Sequence, residues 1–203
     1  MSEASTSEED PGLRARLVAA GAELVASQGV RGVSLRAIAR HAGVSHGAPR
    51  RYFPTHVALL SAVAREGFAD LGARARRELA ATESEGPRAQ LAALGRVYLG
   101  FAHERRGMYE LMFRHDLLES GELGLRETTL PLFGTLVDLV DRVGGGGRDA
   151  GADPRVTAGA LWANLHGIAQ LWEWGSLQLA TGAGQSEALL DAALAAHFGP
   201  EPR

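Results

Sequence analysis

The sequence predicts an all-α protein of about nine helices, and three observations lead to that prediction. Apolar residues recur at intervals of three and four positions along most of the chain, as on the buried face of an amphipathic helix. No stretch alternates between apolar and polar residues over more than a few positions, so strands are not expected. With 203 residues, of which 45% are hydrophobic, the chain is long enough to bury a core.

The first four helices are predicted from capping residues, glycine stops and one proline. Gly29 ends a first helix, and Ser34 is positioned to cap a second helix. Ser45 is positioned to cap a third helix, which Pro54 prevents from continuing, and Thr55 is positioned to cap a fourth. The predicted helices cover residues 13–28, 35–42, 46–53 and 56–71.

The remaining helices follow from similar signals. Gly86-Pro87 opens the fifth helix, and Gly107 separates it from the sixth. Pro131 is expected to kink the seventh helix, and the four glycines at 144–147 are expected to form a flexible connection. The predicted helices cover residues 87–101, 108–113 and 125–140, then a long helix from 154 through 172 and a last helix that ends at 198. A polar interval at 120–124 precedes the third of these helices, and a break at 181–184 precedes the last.

The formal charge of −3 is unevenly distributed along the chain. Residues 1–10 carry four acids and no arginine, and residues 71–203 carry seventeen acids against thirteen arginines. Residues 11–70, in contrast, carry eight arginines against three acids. A basic segment therefore lies between two acidic ones, and such a segment favours contact with nucleic acid.

Composition also excludes several classes of protein. The chain has no cysteine, which excludes disulfides and cysteine-ligated metal sites. It shows neither a run of eighteen apolar residues nor the pattern of a signal peptide, so we expect a soluble, cytoplasmic protein without a membrane partner. Residues 1–12 are expected to form a disordered acidic tail, residues 13–70 a first domain and residues 71–203 a second.

Residues 35–53 meet the physical requirements of a helix-turn-helix. Ala39 supplies the small residue at the crossing of two helices, and Gly43 supplies the left-handed turn four residues later. The positions that should tie the two helices together are apolar or aromatic: Ile38, Ala42, Val44, Pro49 and Tyr52. This combination, inside the only basic segment of the chain, predicts a DNA-binding unit.

The second helix of such a motif presents its first residues to the DNA major groove, while flanking residues hold phosphates. Arg50 and Arg51 are suited to guanine or phosphate contacts. The alternative is a solvated helix face, with Ser34 and Ser45 acting only as caps. The predicted DNA-contacting residues are Ser34, Arg36, Ser45, His46, Gly47, Ala48, Arg50, Arg51, Tyr52 and His56.

The run SLRAIARHAGVSHGAPRRYFPTHVALL, residues 34–60, resembles the DNA-binding domain of the TetR family of transcriptional regulators. The likeness covers about residues 13–70. The family usually has lysine where this chain has His46 and His56, so two cationic phosphate contacts are replaced by imidazoles. Pro49 also departs from the family pattern, and it should delay the start of the recognition helix or distort its first turn.

The resemblance implies an all-helical C-terminal domain that encloses a small-molecule site and dimerises through its last two helices. Trp162, His166 and Gly167 also match the Trp-x-x-x-His-Gly signature of one subgroup of such domains. His166 can instead be a core histidine, and aromatic residues at helical spacing can be plain core. The predicted ligand-contacting residues are Tyr98, Phe101, Met108, Met112, Phe113, Phe133, Trp162 and His166.

Enzymatic and metal-dependent functions find little support in the sequence. His115 with Asp116 and Glu119, and His103 with Glu104 and Glu110, are the only groupings of histidine with carboxylates, and a solvated charged face explains them. No nucleophile elbow, phosphate loop or dinucleotide motif occurs. We therefore expect neither an enzyme nor a cofactor.

The leading hypothesis is a homodimeric repressor that reads a pseudo-palindromic operator in double-stranded DNA and is released by a small apolar or aromatic effector. One short recognition helix makes too few base contacts, so a dimer that reads two half-sites is expected. The alternative is a helical small-molecule binding or scaffold protein with a weakened helix-turn-helix. An activator, or a repressor without a ligand, also stays open.

Overall fold

The structure, a computed structural model, describes residues 11–114, 118, 125–144 and 153–200. These residues contain ten α-helices and no strand, which confirms the predicted fold class. The helices are α1 (Pro11–Gln28), α2 (Leu35–His41), α3 (Ala48–Tyr52), α4 (His56–Ala81), α5 (Pro87–Glu104), α6 (Arg106–Met112), α7 (Leu125–Gly144), α8 (Pro154–Glu173), α9 (Ser176–Thr181) and α10 (Glu187–Phe198).

The chain divides into two compact units, and the first comprises the described parts of Met1–Gly67 and Gly107–Leu125. Gly21 of α1 is the point at which three helices meet. A Cβ atom at this position would lie 2.7 Å from Val63 Cγ2, so glycine allows α4 to approach α1 this closely, and it would lie in ordinary contact, at 3.6 Å, with Ile38 Cδ1 of α2. Leu17, Val25, Ile38, Ala39, Leu59 and Val63 are fully buried around it.

The second unit comprises the described parts of Phe68–Arg106 and Arg126–Arg203. Its core lies between α5, α8 and α10 and contains Leu91, Phe101, Leu161, Leu165, Leu190 and Leu194. Arg88 of α5 donates to the carbonyl oxygens of Phe198 at 3.3 Å and Gly199 at 2.6 Å, which satisfies the C-terminus of α10.

Pro49 delays the start of α3, as the sequence predicted. The helix begins at Ala48, after a turn in which the Ala48 amide donates to the Ser45 carbonyl oxygen at 3.0 Å. Gly47 occupies the N-cap position, so no side chain caps the first amides of α3. The prediction that the Ser45 side chain caps α3 is therefore wrong, because this turn moves the start of the helix beyond its reach.

Other boundaries also differ from the prediction. Helix α1 begins at Pro11 instead of Leu13, because proline fits the first turn of a helix. Gly107 lies inside α6, and the break falls at Arg105, whose φ and ψ are −118° and 40°. Gly175, with a φ of 74°, begins α9, which the sequence analysis did not separate. The tail at 1–10, the interval at 120–124 and Gly145–Gly147 lie outside the described residues.

Candidate DNA-binding surface and ligand cavities

The helix-turn-helix forms through the cap and the turn that the sequence predicted. The Ser34 hydroxyl oxygen accepts a hydrogen bond from the Ala37 amide at 3.1 Å and so caps α2. Gly43 adopts a φ of 69°, the left-handed region that glycine occupies without strain. The Val44 amide donates to the Ala39 carbonyl oxygen at 2.9 Å, which closes the turn at the end of α2.

Helix α3 separates a buried side from an exposed one. Pro49 is buried, whereas Arg50 and Arg51 are exposed. The residues before the helix, Ser45, His46 and Gly47, are exposed as well, as are Ser34 and Arg36 at the start of α2. Ala48 and Tyr52 are half-buried. Most of the predicted DNA-contacting residues are therefore accessible to a large partner.

The electrostatics of this surface favour an anionic partner. Between Glu23 and Glu66 the sequence has no acidic residue and six arginines. Glu23 itself pairs with His41, with Oε2 and Nε2 2.6 Å apart. Within the described part of the chain, neither Arg50 nor Arg51 forms an ion pair, so both guanidinium groups stay available to phosphates or base edges.

His56 departs from the predicted arrangement. Its side chain is half-buried, and its Nε2 atom is buried without a hydrogen-bond partner among the described residues. In this orientation Nε2 does not face solvent. A phosphate contact from His56 Nε2 requires the side chain to change rotamer.

Tyr98, Trp162 and His166 form a hydrogen-bonded cluster on α5 and α8. The indole Nε1 of Trp162 donates to the Tyr98 hydroxyl at 3.2 Å, and that hydroxyl lies 3.0 Å from His166 Nδ1. Because the Tyr98 oxygen already accepts a hydrogen bond from Trp162, its own O–H is suited to donate to Nδ1 of His166. Phe133 lies beside Trp162, with ring centroids 6.2 Å apart.

The other predicted ligand residues lie elsewhere. Phe101 is buried, and the Arg74 guanidinium lies 5.4 Å from its ring centroid. Met108 and Met112 are buried in the first unit. Phe113, in the same unit, packs edge-on against Tyr109 with ring centroids 4.9 Å apart. The eight predicted residues therefore do not form one cluster within either unit.

Two of the cavities formed by the described residues lie within the second unit, and none of the eight predicted ligand residues lines either of these two. One, of about 290 Å³, lies between α5, α8 and the start of α10 and carries charged residues of both signs, Arg96, His103, Glu173 and Glu187 among them. The other, of about 220 Å³, lies between α4, α5 and α7. Its lining is Phe68, Ala69, Gly72, Ala75, Arg76, Leu79, Leu94, Thr128, Pro131, Leu132 and Thr135.

No sequence pattern indicated that Arg76 and Thr135 line a cavity, because cavity walls depend on how three separate helices pack. One signal for Arg76 was nonetheless present. The positions three and four residues away on its helix are Gly72, Ala73, Leu79 and Ala80, so no acid stands where helical ion pairs form. Such an arginine, on an otherwise apolar helix face, is a candidate to bind an anion from outside the protein.

Of the two groupings of histidine with carboxylates, the one that the structure describes has each of its members paired with a residue outside the grouping. His103 Nδ1 lies 3.1 Å from Glu173, Glu104 lies 2.7 Å from Arg74, and Glu110 lies 3.7 Å from Arg114. No cluster of three potential metal ligands occurs in the described residues, and His115 and Glu119 lie outside them. No helix in the described ranges is long and apolar enough to cross a membrane.

Comparisons with solved structures support the fold along nearly the whole chain. A protein of unknown function from Rhodococcus sp. RHA1 is 29% identical, with a TM-score of 0.75 and 97% of each chain covered. The TetR transcriptional regulator SCO0520 from Streptomyces coelicolor is 27% identical, with a TM-score of 0.53, over 91% of this chain and 98% of that one. The multidrug binding protein EbrR, complexed with imidazole, is 27% identical, with a TM-score of 0.58, over 96% and 98%.

Two family models match the sequence in succession, whereas a search of curated proteins finds no match. Residues 17–63 match the model for bacterial regulatory proteins of the tetR family, and this range contains α2, the turn and α3. Residues 91–197 match the tetracyclin repressor-like C-terminal domain and make up more than half of the chain. With an acid-free helix-turn-helix followed by this helical domain, the chain belongs to the TetR family of transcriptional regulators.

Proposed function

We propose that this TetR-family regulator is a homodimeric repressor that leaves its operator when a small molecule binds the second unit. The observation that carries the proposal is the exposed helix-turn-helix surface, on which Arg50 and Arg51 have no acidic neighbour in sequence between Glu23 and Glu66. Phosphate contacts supply most of the affinity of such a surface, and contacts to base edges supply specificity.

The apolar stripes on the last long helices support a dimer. Val156 and Leu171 of α8 are 69% and 38% exposed, and Ala160 and Ala163 are exposed between them. Helix α10, which packs against α8, exposes a row of alanines: Ala188, Ala192, Ala195 and Ala196. Small side chains let helices approach closely, and a two-fold axis through these stripes would form a four-helix interface. The dimer would then present two α3 helices to successive major grooves about 34–36 Å apart.

The cavity between α4, α5 and α7 is the better placed of the two for an effector. Helix α4 is continuous from His56 to Ala81. Near its start, Leu59 and Val63 belong to the core of the first unit, and further along Phe68 and Leu79 line the cavity. A ligand that displaces the second half of α4 would therefore also move its first half, which follows α3 in the chain. In the dimer this movement would change the distance between the two α3 helices. EbrR, a similar protein, was crystallised with imidazole, which supports small-molecule binding.

An electrophoretic mobility shift with the promoter upstream of its own gene tests the proposal. The purified protein should retard this DNA in the presence of excess unrelated DNA. The double variant Arg50→Ala with Arg51→Ala should lose the shift. A matched double variant, Arg77→Ala with Arg105→Ala, removes the same charge from exposed positions of the second unit and should keep it. Failure of the wild-type protein to bind DNA at low salt would overturn the repressor proposal.

The inward His56 favours a second candidate function, a helical small-molecule binding protein with a weakened helix-turn-helix. Such a protein would bind ligand but would lack salt-dependent DNA affinity. A repressor, in contrast, should lose affinity steeply as salt rises, because each phosphate contact releases counterions.

A further inference from the structure

The cavity between α4, α5 and α7 is apolar except at three side chains. Aliphatic and aromatic groups from all three helices form most of its wall, and the polar contributors are Arg76, Thr128 and Thr135. Its volume of about 220 Å³ lies below the usual range of roughly 300–1,000 Å³ for sites that hold drug-sized ligands. The cavity therefore suits a molecule with one ring or one short chain.

Arg76 is the one charged residue among the described residues that line this cavity. Its guanidinium lies over Gly72, one helical turn earlier on α4. A Cβ atom at Gly72 would lie 3.4 Å from Arg76 Nη1 and 3.2 Å from Leu132 Cδ2 of α7. The guanidinium therefore lies beside the apolar wall where α4 faces α7. Because Arg76 is exposed, its remaining donors are available at the edge of the cavity.

No carboxylate neutralises Arg76 within the described part of the chain. Arg74, two residues earlier, differs from Arg76 because it forms ion pairs with carboxylates. Arg74 contacts Glu104 at 2.7 Å and Asp70 at 3.2 Å, and hydrogen bonds to Glu104 and Asp70 raise the pKa of its guanidinium above its ordinary value. The charge of Arg74 is therefore satisfied inside the protein, whereas that of Arg76 stays available to a ligand.

Thr135 cannot replace Arg76 as the main donor to an anion. Its hydroxyl already donates to the carbonyl oxygen of Pro131 at 3.1 Å, so its oxygen is left to accept. Arg76 instead offers parallel N–H groups that match the two oxygens of a carboxylate.

We propose that the effector of this regulator is a small amphipathic organic anion, with a carboxylate or an equivalent group on Arg76 and an apolar body in the cavity. This inference rests on the effector site proposed above. It adds a charge requirement, which separates organic acids from the neutral amides and alcohols of the same shape.

Calorimetric titration of the full-length protein with matched pairs of probes tests the charge requirement. The pairs are benzoate with benzamide, and hexanoate with hexanamide, at neutral pH. Each anion should bind at least tenfold more tightly than its amide. Arg76→Met, which keeps the length of the side chain and removes its charge, should abolish the difference.

Arg77→Met is the matched control, because Arg77 is exposed, does not line the cavity and has no acid three or four residues away on α4. This variant should keep the wild-type preference for the anions. Thermal melting of both variants checks that they remain folded. Equal affinity of the wild-type protein for both members of each pair, no binding of either anion at millimolar concentration, or equal loss in Arg77→Met would each overturn the inference.

The failures of this inference and of the repressor proposal are distinguishable because calorimetry needs no DNA. A preference for anions in a protein that binds no operator would support the charge requirement and refute the repressor. A protein that leaves its operator with benzamide as readily as with benzoate would keep the repressor proposal and overturn the charge requirement.

Discussion

The Arg16 guanidinium donates a hydrogen bond to the Ala42 carbonyl oxygen at 3.1 Å, across 26 positions of sequence. Ala42 is the last residue before the turn of the helix-turn-helix, so this bond fixes the end of α2 to α1. Arg16, which lies outside the helix-turn-helix, therefore helps to set its geometry.

Arg16→Ala should lower the free energy of unfolding by about 0.5–1.5 kcal/mol, the usual net contribution of one hydrogen bond. Urea denaturation measures this change. Arg31→Ala removes a similar exposed charge from the same unit, at a residue that makes no such hydrogen bond among the described residues, and should change stability by less than about 0.5 kcal/mol. An equal loss in both variants would argue that the Arg16 to Ala42 bond contributes nothing specific.

Gly43→Ala should destabilise the protein by about 1–2 kcal/mol, because alanine is strained at the φ of 69° that the turn requires. Apart from the adjacent residues, no atom lies within 4 Å of the added Cβ, so the cost comes from the local backbone and not from a clash with another part of the fold. Gly47→Ala is the control, since Gly47 has a φ of −83° and equally open space. Denaturation midpoints should fall for Gly43→Ala alone, and a matching fall for Gly47→Ala would contradict the explanation.

Tyr98→Phe should cost about 0.5–1.5 kcal/mol of stability, the net contribution of one hydrogen bond, because it removes the oxygen that accepts from Trp162 at a partly exposed position. The variant also separates the two interpretations of His166. Unchanged effector affinity with lowered stability would identify the cluster as structural. A loss of effector affinity without a loss of stability would identify it as a ligand site.

Ala192→Glu places a charge in the alanine row of α10 and should convert the proposed dimer to a monomer. Sedimentation velocity measures the mass. Operator affinity should fall when the dimer is lost, because a single α3 helix makes too few base contacts. Ala80→Glu adds the same charge to an exposed position of α4 and should leave the dimer intact. A dimer that persists in Ala192→Glu would remove α10 from the interface.

Local signals in the sequence predicted the helix-turn-helix well, because each signal depends on a few neighbouring residues. The hydroxyl of Ser34 caps α2, Gly43 makes the turn, and Pro49 delays α3, all through contacts within four residues. Gly107 shows the limit of such signals. A Cβ there would lie 2.3 Å from the carbonyl oxygen of Val25, so this glycine serves a contact between α6 and α1 instead of a break.

The candidate cavity was harder to predict, because its wall is not formed by neighbouring residues in the sequence. Aromatic side chains such as Trp162 draw attention in sequence, but hydrogen bonds within their own cluster engage them. The cavity that contains Arg76 depends on residues from three helices that lie up to 67 positions apart, from Phe68 to Thr135. Sequence spacing on one helix shows that Arg76 lacks a local partner, but not that it faces a cavity.

The salt dependence of operator binding tests the central claim most directly. Fluorescence anisotropy with the promoter DNA should give a linear fall of log affinity with log salt concentration for the wild-type protein. Arg50→Ala with Arg51→Ala should lower this slope by up to about 3.6 for a dimer, or roughly 0.9 for each lost phosphate contact. Arg77→Ala with Arg105→Ala should leave the slope unchanged. A wild-type affinity that does not vary with salt, or an equal slope in the Arg50 and Arg51 variant, would contradict the assignment of this surface to DNA.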